Sequence, residues 1–213
     1  MKYSTTAFAV LLFLSVGAHG STIVSVQSVG AAAGGSGAFD VSLNNTGSST
    51  ITVGAFTFGI STTNTAISFV DANTSTVLGG YIFAGKSLFG PDLTGPSSGQ
   101  SLSVSDVFAT PLSGALVAPG ATLGPGHVLF VVGSNSATGA FTISLVGNPA
   151  TSLSDPSGNV IAIDTLGDGT VNITGAPEPS SLFLVLMGFS LVWVKRRFST
   201  RTAGIGLESG GGF

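Results

Sequence analysis

Gly37-Ala38-Phe39-Asp40-Val41-Ser42-Leu43-Asn44-Asn45-Thr46-Gly47 sets the fold class of this chain. Large apolar side chains at 39, 41 and 43 alternate with Asp40, Ser42 and Asn44, the period of two of a half-buried strand. The Asn-Asn-Thr-Gly that follows is turn chemistry. Outward from this stretch the pattern repeats. Thr50 to Ile60 is longer, and its apolar phase switches between Ile51/Val53 and Phe56/Phe58/Ile60, with Gly54 at the switch; a bulge or bend is expected there. His127 to Val132 is apolar on both phases, as in a central strand covered on two faces. Phe141, Ile143 and Leu145 alternate cleanly. Shorter candidates are Ile23 to Val29, Ala66 to Val70, Leu102 to Phe108, Val160 to Ile163 and Val171 to Ile173.

Turn-rich segments such as Asp155-Pro156-Ser157-Gly158-Asn159 separate these runs. Eight or nine short strands so punctuated predict an all-β domain, a β-sandwich, over residues 21–175. Gly-Ala-Phe recurs at Gly37, Gly54 and Gly139. The spacing is irregular, which excludes a solenoid, and each copy reads as a strand that starts at glycine and turns its Phe inward.

Charge and composition narrow the function classes. Only 7% of residues are charged, and five of the six basic residues sit at the chain ends. Between Ser21 and Ala176 there is one lysine, Lys86, against seven aspartates, a formal charge of −6. Such a domain repels phosphate backbones, so nucleic acid is excluded as a partner. The absence of cysteine excludes disulfides, thiolate metal sites and cysteine nucleophiles.

The two ends read as targeting segments. Lys2 followed by the apolar run Ala7 to Val16 has the form of a secretory signal peptide over residues 1–20. Ala18 and Gly20 place small residues at −3 and −1 of a signal-peptidase cut before Ser21. At the other end, Pro177-Glu178-Pro179 predicts an extended linker over 176–181, because neither proline fits a helix interior. Residues 182–197 follow as an apolar segment closed by Lys195-Arg196-Arg197. The segment is expected to be a transmembrane helix; Ser180 to Val194 spans about 22 Å, short of a ~30 Å hydrocarbon core, and snorkelling of Lys195 and Arg196 with local thinning covers the difference. Residues 198–213 read as a disordered tail.

Pro177-Glu178-Pro179, the apolar run and the basic cluster, in that order behind a signal peptide, resemble the PEP-CTERM sorting signal of Gram-negative bacteria. The resemblance implies export, temporary anchoring in the inner membrane and processing near Pro177, Glu178 and Pro179 by an exosortase. Lys195, Arg196 and Arg197 would retain the tail in the membrane, and the domain would end at the cell surface or in the exopolysaccharide matrix. The chain departs from the family pattern in the extension Phe198 to Phe213. The first half of the domain is similar to cohesin-like jelly-roll sandwiches: a strand ending in Asn-Asn-Thr-Gly, then Val53-Gly54-Ala55-Phe56-Thr57-Phe58-Gly59-Ile60, then Ala66-Ile67-Ser68-Phe69-Val70. That resemblance implies a fold.

Candidate chemistry is sparse. His127 is the only histidine after the signal peptide, the domain has no Glu, and no Gly-x-Ser-x-Gly elbow occurs. The aspartates read as turn residues. Asp164-Thr-Leu-Gly-Asp168-Gly169 brings two carboxylates into one glycine-containing loop, which suits Ca²⁺ as the one candidate ion. Sugar platforms present Trp or Tyr faces, and the domain has only Tyr81. The reading that results is a non-enzymatic surface or matrix protein with no required cofactor. Its alternatives are a glycan- or protein-binding adhesion module, calcium-dependent in one version, and a secreted hydrolase of unrecognised type, which His127 beside a Ser and an Asp in a cleft would favour.

Overall fold

The computed structural model describes residues 21–90, 92–93 and 99–175. The sequence features assigned to 1–20, 176–181, 182–197 and 198–213 lie outside the described residues, and with them Ala18, Gly20, Pro177, Glu178, Pro179, Lys195, Arg196 and Arg197.

The described residues form two packed sheets and a small ribbon. The first sheet has the order β13 (Thr165–Gly167), β1 (Thr22–Val26), β3 (Ser36–Asn45), β9 (Thr122–Val132) and β6 (Ile67–Asn73). Its pairs are antiparallel except β1 with β13. The second has the order β12 (Val160–Ile161), β11 (Ser152–Ser154), β5 (Ala55–Ser61), β10 (Gly139–Val146), β14 (Gly169–Thr174) and β2 (Val29–Ala32), and β7 (Ser101–Val107) pairs the other edge of β5. β4 (Ile51–Val53) pairs β8 (Ala115–Val117) as the ribbon.

Alternation places the core. Phe39, Val41 and Leu43 point inward from β3, and Val128, Phe130 and Val132 from β9. Phe56, Phe58 and Ile60 of β5 face them across the sandwich, with Leu102 and Val104 of β7 and Ile143 of β10. The aromatics gather into two groups. Phe39 contacts Phe69 and Phe130 with ring centroids 6.1 and 5.8 Å apart. Phe83 sits against Phe56 at 5.5 Å, Tyr81 at 6.3 Å and Phe108 at 5.6 Å. Such tilted and edge contacts add to the area these rings bury.

One expectation is sharpened and one changes. The bend expected at Gly54 is present, and it marks a change of partner: β4 joins the ribbon and β5 joins the second sheet. Gly54 is required because a Cβ there would lie 2.7 Å from the backbone of Pro156. β9 is central in its sheet, yet only one face is fully covered, since Val131 is 40% exposed on the other. The three Gly-Ala-Phe copies do open β3, β5 and β10; Phe39 and Phe56 are buried and Phe141 is partly buried.

β3 orders the ends. Thr22 pairs Asn45 at its last residue, while Thr174 pairs Ala32 just before its first. The domain's first and last strand termini therefore lie at opposite ends of a strand about 30 Å long.

Candidate docking surface

The outward face of the second sheet carries no charged side chain on its central strands. β7 presents Ser101, Ser103 and Ser105, β5 presents Thr57 and Ser61, and β10 presents Thr142 and Ser144. Register sets Ser105 and Ser152 beside Thr57, and Ser101 and Ser144 beside Ser61. The face is lined largely by hydroxyls, with Val146 41% exposed among them.

At the end of this face near Asn45 the chemistry changes. Val160 pairs Ser154, Ser154 pairs Ala55, and Ala55 pairs Val107. The Leu88 N–H donates to the Val107 carbonyl at 3.0 Å, adding a fifth member. Across the sheet this gives Val160, Ser154, Ala55, Val107 and Leu88 in one row, apolar at every place but Ser154. Val160 is 75% exposed and Leu88 55%. Leu112 stands over the row and is 83% exposed. It is the one non-glycine among the described residues with a positive φ, at 55°, a conformation in which its Cβ crowds the following carbonyl. Beside it runs a groove of about 380 Å³ between Val107, Phe108 and Pro111 on one side and Asp155 and Pro156 on the other.

A buried carboxylate holds this end in shape. Asp106 follows Leu102 and Val104 on the inward phase of β7 and is fully buried. It accepts from the Tyr81 hydroxyl at 2.6 Å, from the Ser87 hydroxyl, and from the N–H groups of Phe89 and Leu88 at 3.0 and 3.2 Å and of Val107 at 2.8 Å. The 81–89 segment is thereby fastened along β7. Burial, and then the Asp106 carboxylate that takes its hydrogen bond, push the Tyr81 hydroxyl far above the ordinary range of a phenol, so it stays a donor.

Tyr81 is thus a buried anchor of this end and offers no ring face to a sugar. His127 stands opposite Asp40 on the outward side of the first sheet, its Nδ1 2.6 Å from Asp40 Oδ1. Asp40 is buried because the 76–78 turn lies over it and donates the N–H groups of Val77 and Leu78. Among the described residues no hydroxyl is hydrogen-bonded to His127, the contact that a Ser-His-Asp arrangement uses. The aspartates are not confined to turns: Asp40, Asp71 and Asp106 lie within strands. Asp155 does make an Asx-turn, accepting from Ser157 and Asn159. Asp164 and Asp168 flank β13 and turn to separate partners. Asp164 accepts the Thr22 N–H at 2.8 Å, and Asp168 accepts the Ser144 hydroxyl at 3.0 Å and the Leu145 N–H at 3.2 Å. No group of three metal-ligating side chains occurs among the described residues.

The fold is that of cohesin domains. The sixth cohesin of scaffoldin B from Acetivibrio cellulolyticus, solved in complex with a Cel5 dockerin, superposes with a TM-score of 0.56 at 15% identity over 72% of this chain and 99% of its own. The seventh type I cohesin of ScaB from Pseudobacteroides cellulosolvens gives 0.53 at 16%, over 75% and 95%. A type I cohesin–dockerin complex from Clostridium thermocellum gives 0.51 at 15%, over 72% and 99%. No family profile matches the sequence, and no curated protein matches it.

The row Val160–Ala55–Val107–Leu88 could not be found from the sequence. Its members come from four separate segments. The one local signal was Leu102-Ser-Val-Ser-Asp106-Val107-Phe108, where a carboxylate falls on the inward phase.

Proposed function

We propose that this chain is a non-enzymatic protein-binding module, exported and displayed at the bacterial surface, that docks partners on the outward face of its second sheet. The observation that carries the reading is the pattern of that face: an exposed apolar row with a strained, solvent-facing Leu112, bordered by uncharged hydroxyls. An apolar centre with a polar rim is the anatomy of protein–protein interfaces. The cohesin-like fold supports it, because two of the solved neighbours are recorded with a dockerin bound. The His127–Asp40 pair, with no hydroxyl among the described residues bonded to His127, and the engaged Asp164 and Asp168 give hydrolysis and calcium binding no comparable support.

Delivery rests on the two ends. The signal peptide takes the chain across the membrane, and the Pro177-Glu178-Pro179 tail holds it in membrane lipid until an exosortase releases it to the surface or the exopolysaccharide matrix. Two measurements test the proposal. Photo-cross-linkers at Leu88 and Ser105 of the displayed chain should capture polypeptide, whereas one at Ser25 on the first sheet should not; equal capture at all three sites, or none, rejects the docking face. Mass and location of the chain compared with and without the exosortase test sorting, and an identical, full-length, membrane-held product in both rejects it.

A further inference from the structure

We propose that the partner seated on the apolar row is a second copy of this chain, related by a two-fold axis that passes through Ala55 along the strand direction. This rests on the docking reading above and names its occupant. The argument is charge. Lys86 is the only lysine or arginine among the described residues, and it is exposed. Its carbonyl accepts the Ala109 N–H at 2.7 Å, which places it two residues along the edge segment from Leu88. Asp155 follows Ser154 on the strand at the other side of Ala55, where its segment walls the groove against Gly54. The row thus has a cation on its Leu88 side and a carboxylate on its Val160 side. An axis through its middle sets Leu88 against Val160 of the other copy and Lys86 against Asp155, and the same pairs form twice, as an isologous contact requires.

Two acidic domains repel each other on average over their orientations, so this charge pair selects the register as well as adding attraction. Asn159 first, through its side chain and its N–H, and then Ser157 bind the Asp155 carboxylate and hold its acidity below the usual carboxylate range, so it stays ionised in mild acid. The strain at Leu112 has a use in the same contact, since its side chain meets the groove of the opposing copy. The row is about 19 Å wide across four strand spacings. An interface of that size is weak in dilute solution, but neighbouring copies held in one surface layer meet at high effective concentration.

The chain contains no cysteine, which makes the test direct. Val107→Cys lies one strand from the axis, so its two copies stand about 10 Å apart, and Ser36→Cys at the far end of β3 serves as control. The full chain is displayed on cells and treated with a short bismaleimide of about that reach, since a direct disulfide needs Cα atoms closer than about 7 Å, and covalent species are resolved by size. The expected result is a homodimer with Val107→Cys and none with Ser36→Cys. Adding Lys86→Asp should cut the yield about tenfold by reversing both charge pairs, and adding Asp155→Lys as well should restore it. Leu112→Cys, at an exposed loop tip, repeats the test should Val107→Cys fail to fold. Equal bridging by the Val107→Cys and Ser36→Cys chains, or a yield unmoved by the charge changes, overturns the two-fold contact. Bridging of the Val107→Cys chain to a different polypeptide overturns the second copy but keeps the docking face, and no bridging to any polypeptide by either the Val107→Cys or the Leu112→Cys chain overturns both.

Discussion

Asp106→Ala should loosen the docking end of the sandwich more than any surface change near it. The wild-type carboxylate takes hydrogen bonds from five donors, two hydroxyls and three backbone N–H groups. Removing it strands the Tyr81 hydroxyl and the N–H groups of Phe89 and Val107, whereas the Leu88 N–H keeps the Val107 carbonyl and Ser87 keeps its bond from the Gly90 N–H. Each buried polar group left unpaired costs about 1–3 kcal/mol. Three of them would sum to more than is reached in practice, because the 81–89 segment can open and let water in. A loss of about 3–5 kcal/mol follows, the range for breaking a buried charged network. For a domain of this size that corresponds to a fall in Tm of roughly 10 °C or more. Thermal and urea unfolding of the full chain by circular dichroism give the number. Hydrogen exchange gives the place: the Leu88, Phe89 and Val107 amides should lose protection before those of β3 and β9. Asp92→Ala, at an exposed aspartate, should stay within about 0.5 kcal/mol of wild type. An Asp106→Ala protein within about 1 kcal/mol of wild type, with those amides still protected, would refute the assignment of this carboxylate as the fastener.

Three further outcomes follow from the same geometry. Tyr81 keeps its proton when folded and loses it near pH 10 when unfolded, so above that pH the native state binds more protons than the unfolded state and stability falls as pH rises. Tyr81→Phe should remove this alkaline slope in a pH series of urea midpoints while costing about 1 kcal/mol at neutral pH. Gly54→Ala forces a Cβ against the Pro156 backbone and should destabilise by about 1–3 kcal/mol in urea unfolding, since backbone cannot yield as a flexible side chain does. Leu112→Gly relieves the positive φ and removes the exposed side chain, so it should raise stability by about 1 kcal/mol in the same assay while lowering Val107→Cys cross-linking.

The fold class was legible because strand patterning is local. Phe39, Val41 and Leu43 are buried as their alternation predicts, and so are Phe56, Phe58 and Ile60. The Gly54 switch was visible too, although its meaning was not: a change of phase says that the chain turns a new face inward, and only the pairing shows that it has changed sheets. β8, β11 and β13 are three residues each and went unread, since a strand that short has no period to detect.

The aspartates show the limit most clearly. Sequence alone reads an aspartate as a turn or surface residue, because an unpaired carboxylate is costly to bury. Asp155 obeys that rule. Asp40 and Asp106 break it, each buried by donors from segments 37 and 17–25 residues away. Tyr81 is a structural donor rather than a sugar platform for the same reason.

What the sequence determined by itself is a β-sandwich of low charge, since alternation and turn composition are properties of contiguous residues. What the tertiary structure alone decided is the exposed apolar row. Val160, Ala55, Val107 and Leu88 become neighbours only when hydrogen-bond register aligns β12, β11, β5 and β7 with the 81–89 segment. A row that crosses strands is perpendicular to the chain, and no pattern along the chain encodes it.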